Sequence, residues 1–474
     1  MKLNIIIFGT GSSSEKLLEI LDFAKVNIIG FSDNNESKHN LTFRNHVVFP
    51  ASEIVNQNFD YVVIASQFSN EIYSQLLDMG IHHKKIVPMD IAVHHYNMTK
   101  NYNEILKSIT LANKPSGRKI KIGIINYNYS NYNGYALYKY MPIEFKGKYD
   151  VSLIEEKNMG ELMGFDVLCS SHFDGLYDGS HINIEMWHGF PLKKMGYLQE
   201  SGVTEDVINH IKQRSDQIQL IMSYSQLYST FFNSCFPTNS NKYKITGMPR
   251  NDLLFEKNSL GKLEKVVEQN LDFANIVFYL PTWRKGKNSQ VETNKEWKKL
   301  IGFKDESKKK LIKMLEEKNL FLIVKLHPYE YNQFKDLEIF KEKRIFLLSE
   351  DILKMNKIHL YELLGCGKLL ITDYSSIFFD TLLIDLPVIF APTDLDEYTE
   401  NRGFMLEPYQ YFTPGPTVNS FEELKSNIYS LIDGIDPYID HRERIRNLVF
   451  KFLDNKASQR VWDSIDEYLM VKSL

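Results

Sequence analysis

Short apolar runs alternate with helical patterns along almost the whole chain. Leu3–Phe8, Val26–Phe31 and Asp60–Ala65 read as strands near the N-terminus, with helices expected over Glu15–Phe23 and Ser69–Met79. A second set of strands is predicted at Lys121–Ile125, Asp150–Ile154, Val167–Ser170, Ile182–Met186 and Gln219–Ser223, with helices at Glu205–Ser215 and Gln226–Asn233. A third set follows at Ile276–Leu280, Leu320–Leu326, Arg344–Leu348, Leu369–Ile371 and Val388–Ala391. Here the helices are Ser307–Lys318, Ile358–Gly365 and Phe421–Ile432. Runs of four to eight apolar residues between amphipathic helices indicate buried parallel strands joined by helical crossovers, an α/β fold. The lysines of Ser307–Lys318 read as a solvated helix face.

Breaks in this rhythm divide the chain. Residues 1–98 form a small Rossmann-like unit, and 99–118 a helix (Tyr102–Leu111) with a Lys-Pro-Ser-Gly linker. Pro115 and Gly117 mark the boundary. Residues 119–258 and 259–440 form two further α/β units, and 441–474 closing helices that can pack back across them.

Composition narrows the classes. A length of 474 residues calls for two or three domains, and a net charge of -4 gives no reason to expect nucleic acid as a partner. Cys169, Cys235 and Cys366 lack metal-ligand spacing, which fits a reducing compartment. No apolar run reaches the roughly 20 residues of a membrane span, and the N-terminus has no secretion-signal pattern. These features suit a soluble intracellular protein, with peripheral membrane contact and homo-oligomer formation left open.

Polar clusters at strand ends supply the candidate chemistry. Thr372-Asp373-Tyr374-Ser375-Ser376 follows a strand and precedes a helical pattern through Phe378, Phe379, Leu382 and Leu383. Free N–H groups and serine hydroxyls at a helix start suit a phosphate, and Asp380, one turn on, suits hydroxyls on the phosphate's other substituent. The alternative is an ordinary cap, with Asp373 or Ser375 satisfying backbone donors. Trp187-His188-Gly189 closes another strand, where open α/β sheets bind ligands, with Lys193 and Lys194 nearby. Arg250 follows Gly247-Met248-Pro249, and Lys325-Leu326-His327-Pro328 ends a third buried strand. In the first unit Gly9 and Gly11 form a turn after a strand, and Asp33 stands where a dinucleotide-binding fold places its ribose-binding carboxylate. That fingerprint is incomplete, because Ser14 replaces the third glycine. Asp394 and Asp396 offer paired carboxylates, but the cationic side chains already supply charge, so no metal is expected.

Taken in order, the motifs carry a resemblance. Trp187-His188-Gly189-x-Pro191-Leu192-Lys193-Lys194, Gly247-x-Pro249-Arg250-Asn251-Asp252, Pro281-Thr282-Trp283-Arg284, Lys325-Leu326-His327-Pro328, Thr372-Asp373-Tyr374-Ser375-Ser376 and Arg402-Gly403-Phe404 resemble the CDP-glycerol glycerophosphotransferase family, the teichoic-acid and capsule primases and polymerases. The likeness covers about Lys119 to Ile432. It implies a GT-B fold of two facing Rossmann-like domains and transfer of a polyol phosphate from CDP-glycerol or CDP-ribitol to a polymer or lipid-linked glycan acceptor, releasing CMP. No other cofactor is implied, and the work would be done at the inner face of the cell membrane. His188 would be the general base. His327, Arg284, Thr282, Asp373, Ser375, Ser376, Asp380, Arg402 and Gly403 would hold and activate the donor. Gly189, Lys193, Lys194 and Arg250 would contact acceptor or phosphate. Phe190 departs from the family pattern, which has a small residue there. The first unit resembles the nucleotide-sugar-binding N-terminal domains of some bacterial sugar-modifying enzymes, with Gly9, Gly11 and Asp33 as its site. Two rival readings remain: a GT-B sugar transferase or nucleotide-sugar 2-epimerase, and a non-catalytic nucleotide-sensing scaffold. CMP or UDP release would separate the enzymes, and binding without turnover would mark the scaffold.

Overall fold

The computed structural model describes residues 2–66, 68–88, 105, 108–109, 118–126, 132–155, 162, 165–173, 181–199, 203–282 and 300–472. These residues form three sheets. In the first, the strand order is Thr42–Phe43, His46–Phe49, Val26–Ser32, Leu3–Phe8, Tyr61–Ile64, Ile86–Pro88. It is parallel except for the Thr42–Phe43/His46–Phe49 hairpin at its edge. The second runs Tyr243–Ile245, Ile218–Ser223, Ile182–Glu185, Val167–Ser170, Lys121–Asn126, Asp150–Glu155, and the third Ile345–Leu347, Leu320–Val324, Asn275–Tyr279, Leu369–Thr372, Val388–Phe390. Every pairing in these two sheets is parallel.

The buried strands explain the register. All five residues of Leu320–Val324 are buried, as a parallel strand covered by helices on both faces requires. The helix Lys308–Glu317 buries Leu311, Met314 and Leu315 and leaves its lysines exposed, with Ser307 Oγ capping Lys310 N–H at 3.3 Å. Short edge elements escaped the pattern: Thr42–Phe43, Ile86–Pro88 and Tyr243–Ile245 carry too few residues to show a period. Of the helix expected over Tyr102–Leu111, only Ile105, Ser108 and Ile109 lie within the described residues. The Lys-Pro-Ser-Gly linker lies outside them.

The first sheet has its own core. The second and third share one, running from Ile122 through Tyr224, Phe278 and Phe378 to Leu469. Two closing helices seal this joint. From Ile439–Val449, Arg442 pairs with Asp385 at 3.0 Å, and just beyond that helix Lys451 N–H donates to Tyr224 O. Ala457–Val471 returns to the second sheet's side: Trp462 Nε1 donates to Leu137 O, and Asp252 accepts the N–H groups of Ala457 and Ser458 at 2.9 and 2.7 Å. A carboxylate at a helix start satisfies orphan donors and complements the dipole. No described helix is long and apolar enough to cross a membrane.

Candidate active site

The C-terminal ends of the second and third sheets border a cavity of about 380 Å³. Its lining includes His188, His327, Lys193, Lys325, Arg250, Arg402, Ser375 and Ser376. Two histidines, two lysines and two arginines face it, and no carboxylate does among the described lining residues. Such a cavity suits an anion.

His188 follows the strand Ile182–Glu185. Its Nδ1 lies 2.9 Å from the Ser171 carbonyl. A carbonyl only accepts, so Nδ1 carries the proton and Nε2 keeps a lone pair. Burial, reinforced by the Arg250 charge and opposed by the Ser171 bond, pushes His188 down to about 4. The ring is therefore neutral near pH 7. His172 stacks on it with centroids 4.8 Å apart, and burial with the neighbouring His188 holds His172 down to about 3. Each histidine adjoins a non-glycine residue in the left-handed region: Phe173, at φ 50°, follows His172, and Trp187, at φ 49°, precedes His188. One buried carboxylate holds both turns: Glu185 accepts Phe173 N–H at 3.0 Å and Trp187 N–H at 2.5 Å. Neither His172 nor Glu185 stands out in sequence, since a lone histidine and an acidic residue inside an apolar strand carry no spacing signal.

Across the cavity, His327 follows Leu320–Val324, and its carbonyl accepts the N–H groups of Glu330 and Tyr331 as the next helix begins. Burial, then the charges of Lys325 and Lys193, pushes His327 down to about 4. Ser375 and Ser376 reach the same cavity from the turn after Leu369–Thr372, as does Thr282 from the end of Asn275–Tyr279. Arg284 lies outside the described residues.

Geometry gives three of the expected site residues partners within the protein. Asp373 does not open onto the cavity; its Oδ1 accepts Thr282 N–H at 2.8 Å and Tyr374 N–H at 2.6 Å, bracing two loops against each other. Asp380 is fully buried and is shared by Arg250, Tyr224 OH and Tyr361 OH at 2.5, 2.7 and 2.6 Å. It has no surface to offer a polyol. Arg250, though it borders the cavity, spends its guanidinium on Asp380 and on the His188 carbonyl at 2.7 Å. Helical spacing placed Asp380 on the right face of its helix, but only tertiary packing covers that face.

Lys193 and Lys194 join the two halves of the site. Lys193 forms an antiparallel bridge with Phe404, Lys194 N–H donates to Gly403 O at 3.3 Å, and Met405 N–H donates to Leu192 O at 2.9 Å. Gly403, at φ 68°, lies against the Lys194 side chain. Phe190 is buried at the same joint with its ring centroid 4.6 Å from that of Phe379, where it fills an interdomain contact. Asp394 accepts from Tyr374 OH at 2.8 Å. In the first unit Gly9, at φ 116°, donates its N–H to Ser32 O, and Gly11 caps the helix Ser12–Ile20. Asp33 is held there by Thr10 Oγ1 at 2.5 Å and Lys38 Nζ at 2.8 Å.

The sequence model of the CDP-Glycerol:Poly(glycerophosphate) glycerophosphotransferase family matches residues 177–467. The chain belongs to that family. Residues 1–87 match a second model, described as C2185-like, N-terminal. Among relatives of this chain is the teichoic acid poly(glycerol phosphate) polymerase of Bacillus spizizenii, 31% identical over 52% of this chain and 60% of its own. The teichoic acid ribitol-phosphate polymerase TarL of Staphylococcus aureus is 26% identical over 59% of this chain and 46% of its own. A teichoic acid glycerol-phosphate transferase of the same organism is 26% identical over 60% and 70%. The chain thus spans about half the length of the first two of these relatives. The wall teichoic acid polymerase TagF superposes with a TM-score of 0.60 over 85% of this chain and 98% of its own, at 18% identity. It shares the fold, two facing Rossmann-like sheets in the GT-B arrangement.

Proposed function

We propose that this glycerophosphotransferase moves glycerol phosphate or ribitol phosphate from a CDP-activated donor to a hydroxyl of a teichoic-acid-like or capsular acceptor, releasing CMP. The carrying observation is the cavity that two histidines, Lys193, Lys325, Arg402 and the Ser375–Ser376 turn share, with no carboxylate among its described lining residues. In this reading residues 119–258 face the acceptor and 259–440 the donor, at the cytoplasmic face of the membrane.

The acceptor oxygen forms a bond to the phosphorus that bears the polyol, and the bond from that phosphorus to CMP breaks. The acceptor's proton passes to the lone pair on His188 Nε2, which the Ser171 contact leaves open. Charge develops on the departing CMP oxygen. His327, Lys193, Lys325, which also pairs with Glu350 at 2.7 Å, and the Ser375–Ser376 turn line the cavity in which that charge would be steadied. Arg402 adds a further cation. A bound pyrophosphate would oppose the Arg250 field that holds His188 down, raising its basicity once the donor is seated. The chain incubated with CDP-glycerol, CDP-ribitol and UDP-sugars on a synthetic glycerol-phosphate acceptor should release CMP from a CDP-polyol. Release of UDP alone, or binding without turnover, would discard the reading.

A further inference from the structure

Arg250 and Asp380 are shut away from solvent, 2% and 0% exposed, with a 2.5 Å contact between them. Each is tied to one half of the cavity. Arg250 Nη1 donates to the His188 carbonyl at 2.7 Å, and its backbone N–H donates to Asn133 Oδ1 at 3.0 Å. Asn133 Nδ2 in turn donates to the Trp187 carbonyl at 2.6 Å. Asp380 sits in the helix Ile377–Thr381, which Ser376 caps, and Tyr224 and Tyr361 fix both its oxygens. Between these partners, a β-carbon on Gly189 would lie 3.4 Å from Arg250 Nη2 and 2.7 Å from Ser376 Oγ.

Stability alone is a poor explanation for such a pair. Buried charges lose their hydration, and apolar residues of similar volume often serve as well or better. A guanidinium differs in holding two acceptors at set angles on one rigid plane. We propose that Arg250 and Asp380 are a positioning pair that fixes His188 at its working distance from the Ser375–Ser376 turn. This rests on the transfer reading above, and it replaces the ligand contacts that sequence suggested for both residues. The pair touches neither donor nor acceptor; it acts through the carbonyl of His188 and through the helix that Ser376 begins.

The test uses the full chain carrying Arg250→Lys, and the apolar pair Arg250→Met with Asp380→Leu. Lysine keeps the charge but loses the fork. Its donor KM should stay within about threefold of the parent, while kcat falls about 10²-fold, the pattern of lost geometry rather than lost binding. The apolar pair leaves no unpaired buried charge, so its Tm should exceed that of Arg250→Met alone, yet its kcat should remain as low as that of Arg250→Lys. Recovery of kcat in the apolar pair would reduce Arg250 and Asp380 to packing and overturn the proposal. A second readout needs no substrate: in ¹⁵N-histidine spectra, His188 should show a single Nδ1–H form in the parent and exchange between forms in Arg250→Lys. An unchanged His188 signal in that variant would equally overturn it. A parent chain inactive on every CDP-polyol would sink the transfer reading, and the spectra would still decide for or against the pair.

Discussion

Gly189 and Ser376 belong to opposite halves of the cleft, and a β-carbon on the glycine would come within 2.7 Å of the serine Oγ. The backbone there has φ 156°, so a side chain is excluded twice over, by torsion and by contact. His188 precedes this glycine, which is how an imidazole from one sheet is brought to the serine turn of the other.

Gly189→Ala should push these halves apart. Turnover is expected to fall about 10²-fold, since displacements near 1 Å at a reacting centre have that effect. Adding Ser376→Ala removes the clashing oxygen, so thermal unfolding should move back toward the parent. A Gly189→Ala chain with parental kcat would show that the halves need not touch.

His188→Ala and His327→Ala should each slow CMP release by about 10²-fold or more, the usual scale of lost proton transfer or charge relief. Urea unfolding should confirm that both variants are folded. Near-parental turnover in either would remove that histidine from the chemistry.

Acid should act on both rate and stability. His188 and His327 are held near 4 in the folded chain, so kcat/KM, which reports the free protein, should stay level down to about pH 5 and fall below it. His172 at about 3 and His359 at about 4 add to the stability effect, burial being the main cause for both. Between the ordinary histidine value of about 6.5 and the folded values, the unfolded chain binds more protons. The stability from keeping these rings neutral is therefore full above about pH 6.5 and is lost as pH falls toward 4. Glu256 continues the trend lower: burial opposes its ionisation, but Lys139, Lys262 and Tyr140 hold it down to about 2. Urea midpoints that rise between pH 7 and pH 5 would contradict this sign.

Glu185→Gln should loosen both histidine turns. An amide has one oxygen to offer where two N–H groups now find two, so a buried donor loses its partner. A loss of about 1–3 kcal/mol is expected from denaturant unfolding. Activity should drop further than stability explains, because Trp187 and Phe173 would leave their strained conformations.

Phe190→Thr introduces a small residue and removes a buried ring packed on Phe379 and Tyr228. Unfolding should show a loss of about 3–5 kcal/mol, as for large-to-small changes in a tight core. Unchanged stability would mean the joint can collapse around the gap.

Much of this protein is written in its local sequence. Apolar runs such as Leu320–Val324 can only be buried strands, and alternation with amphipathic helices dictates parallel sheets. Polar residues at strand ends, His188, His327 and Ser375–Ser376, are thereby placed on the ligand side, because a strand's direction fixes where its last residues emerge. What packing alone decided is which of those polar groups remain open. Asp380 looked suited to a ligand and Asp373 to a ligand or a cap, yet neighbours far along the chain, Thr282 for Asp373 and Tyr224 with Arg250 for Asp380, bond to them and seal them in. Glu185 and His172 gained their places the same way, since a hydrogen bond from Phe173 to Glu185 and a ring stacked on His188 join residues 12 or more apart and leave no period to read. Burial is a property of the assembled sheets, and a carboxylate's role follows from who else reaches it.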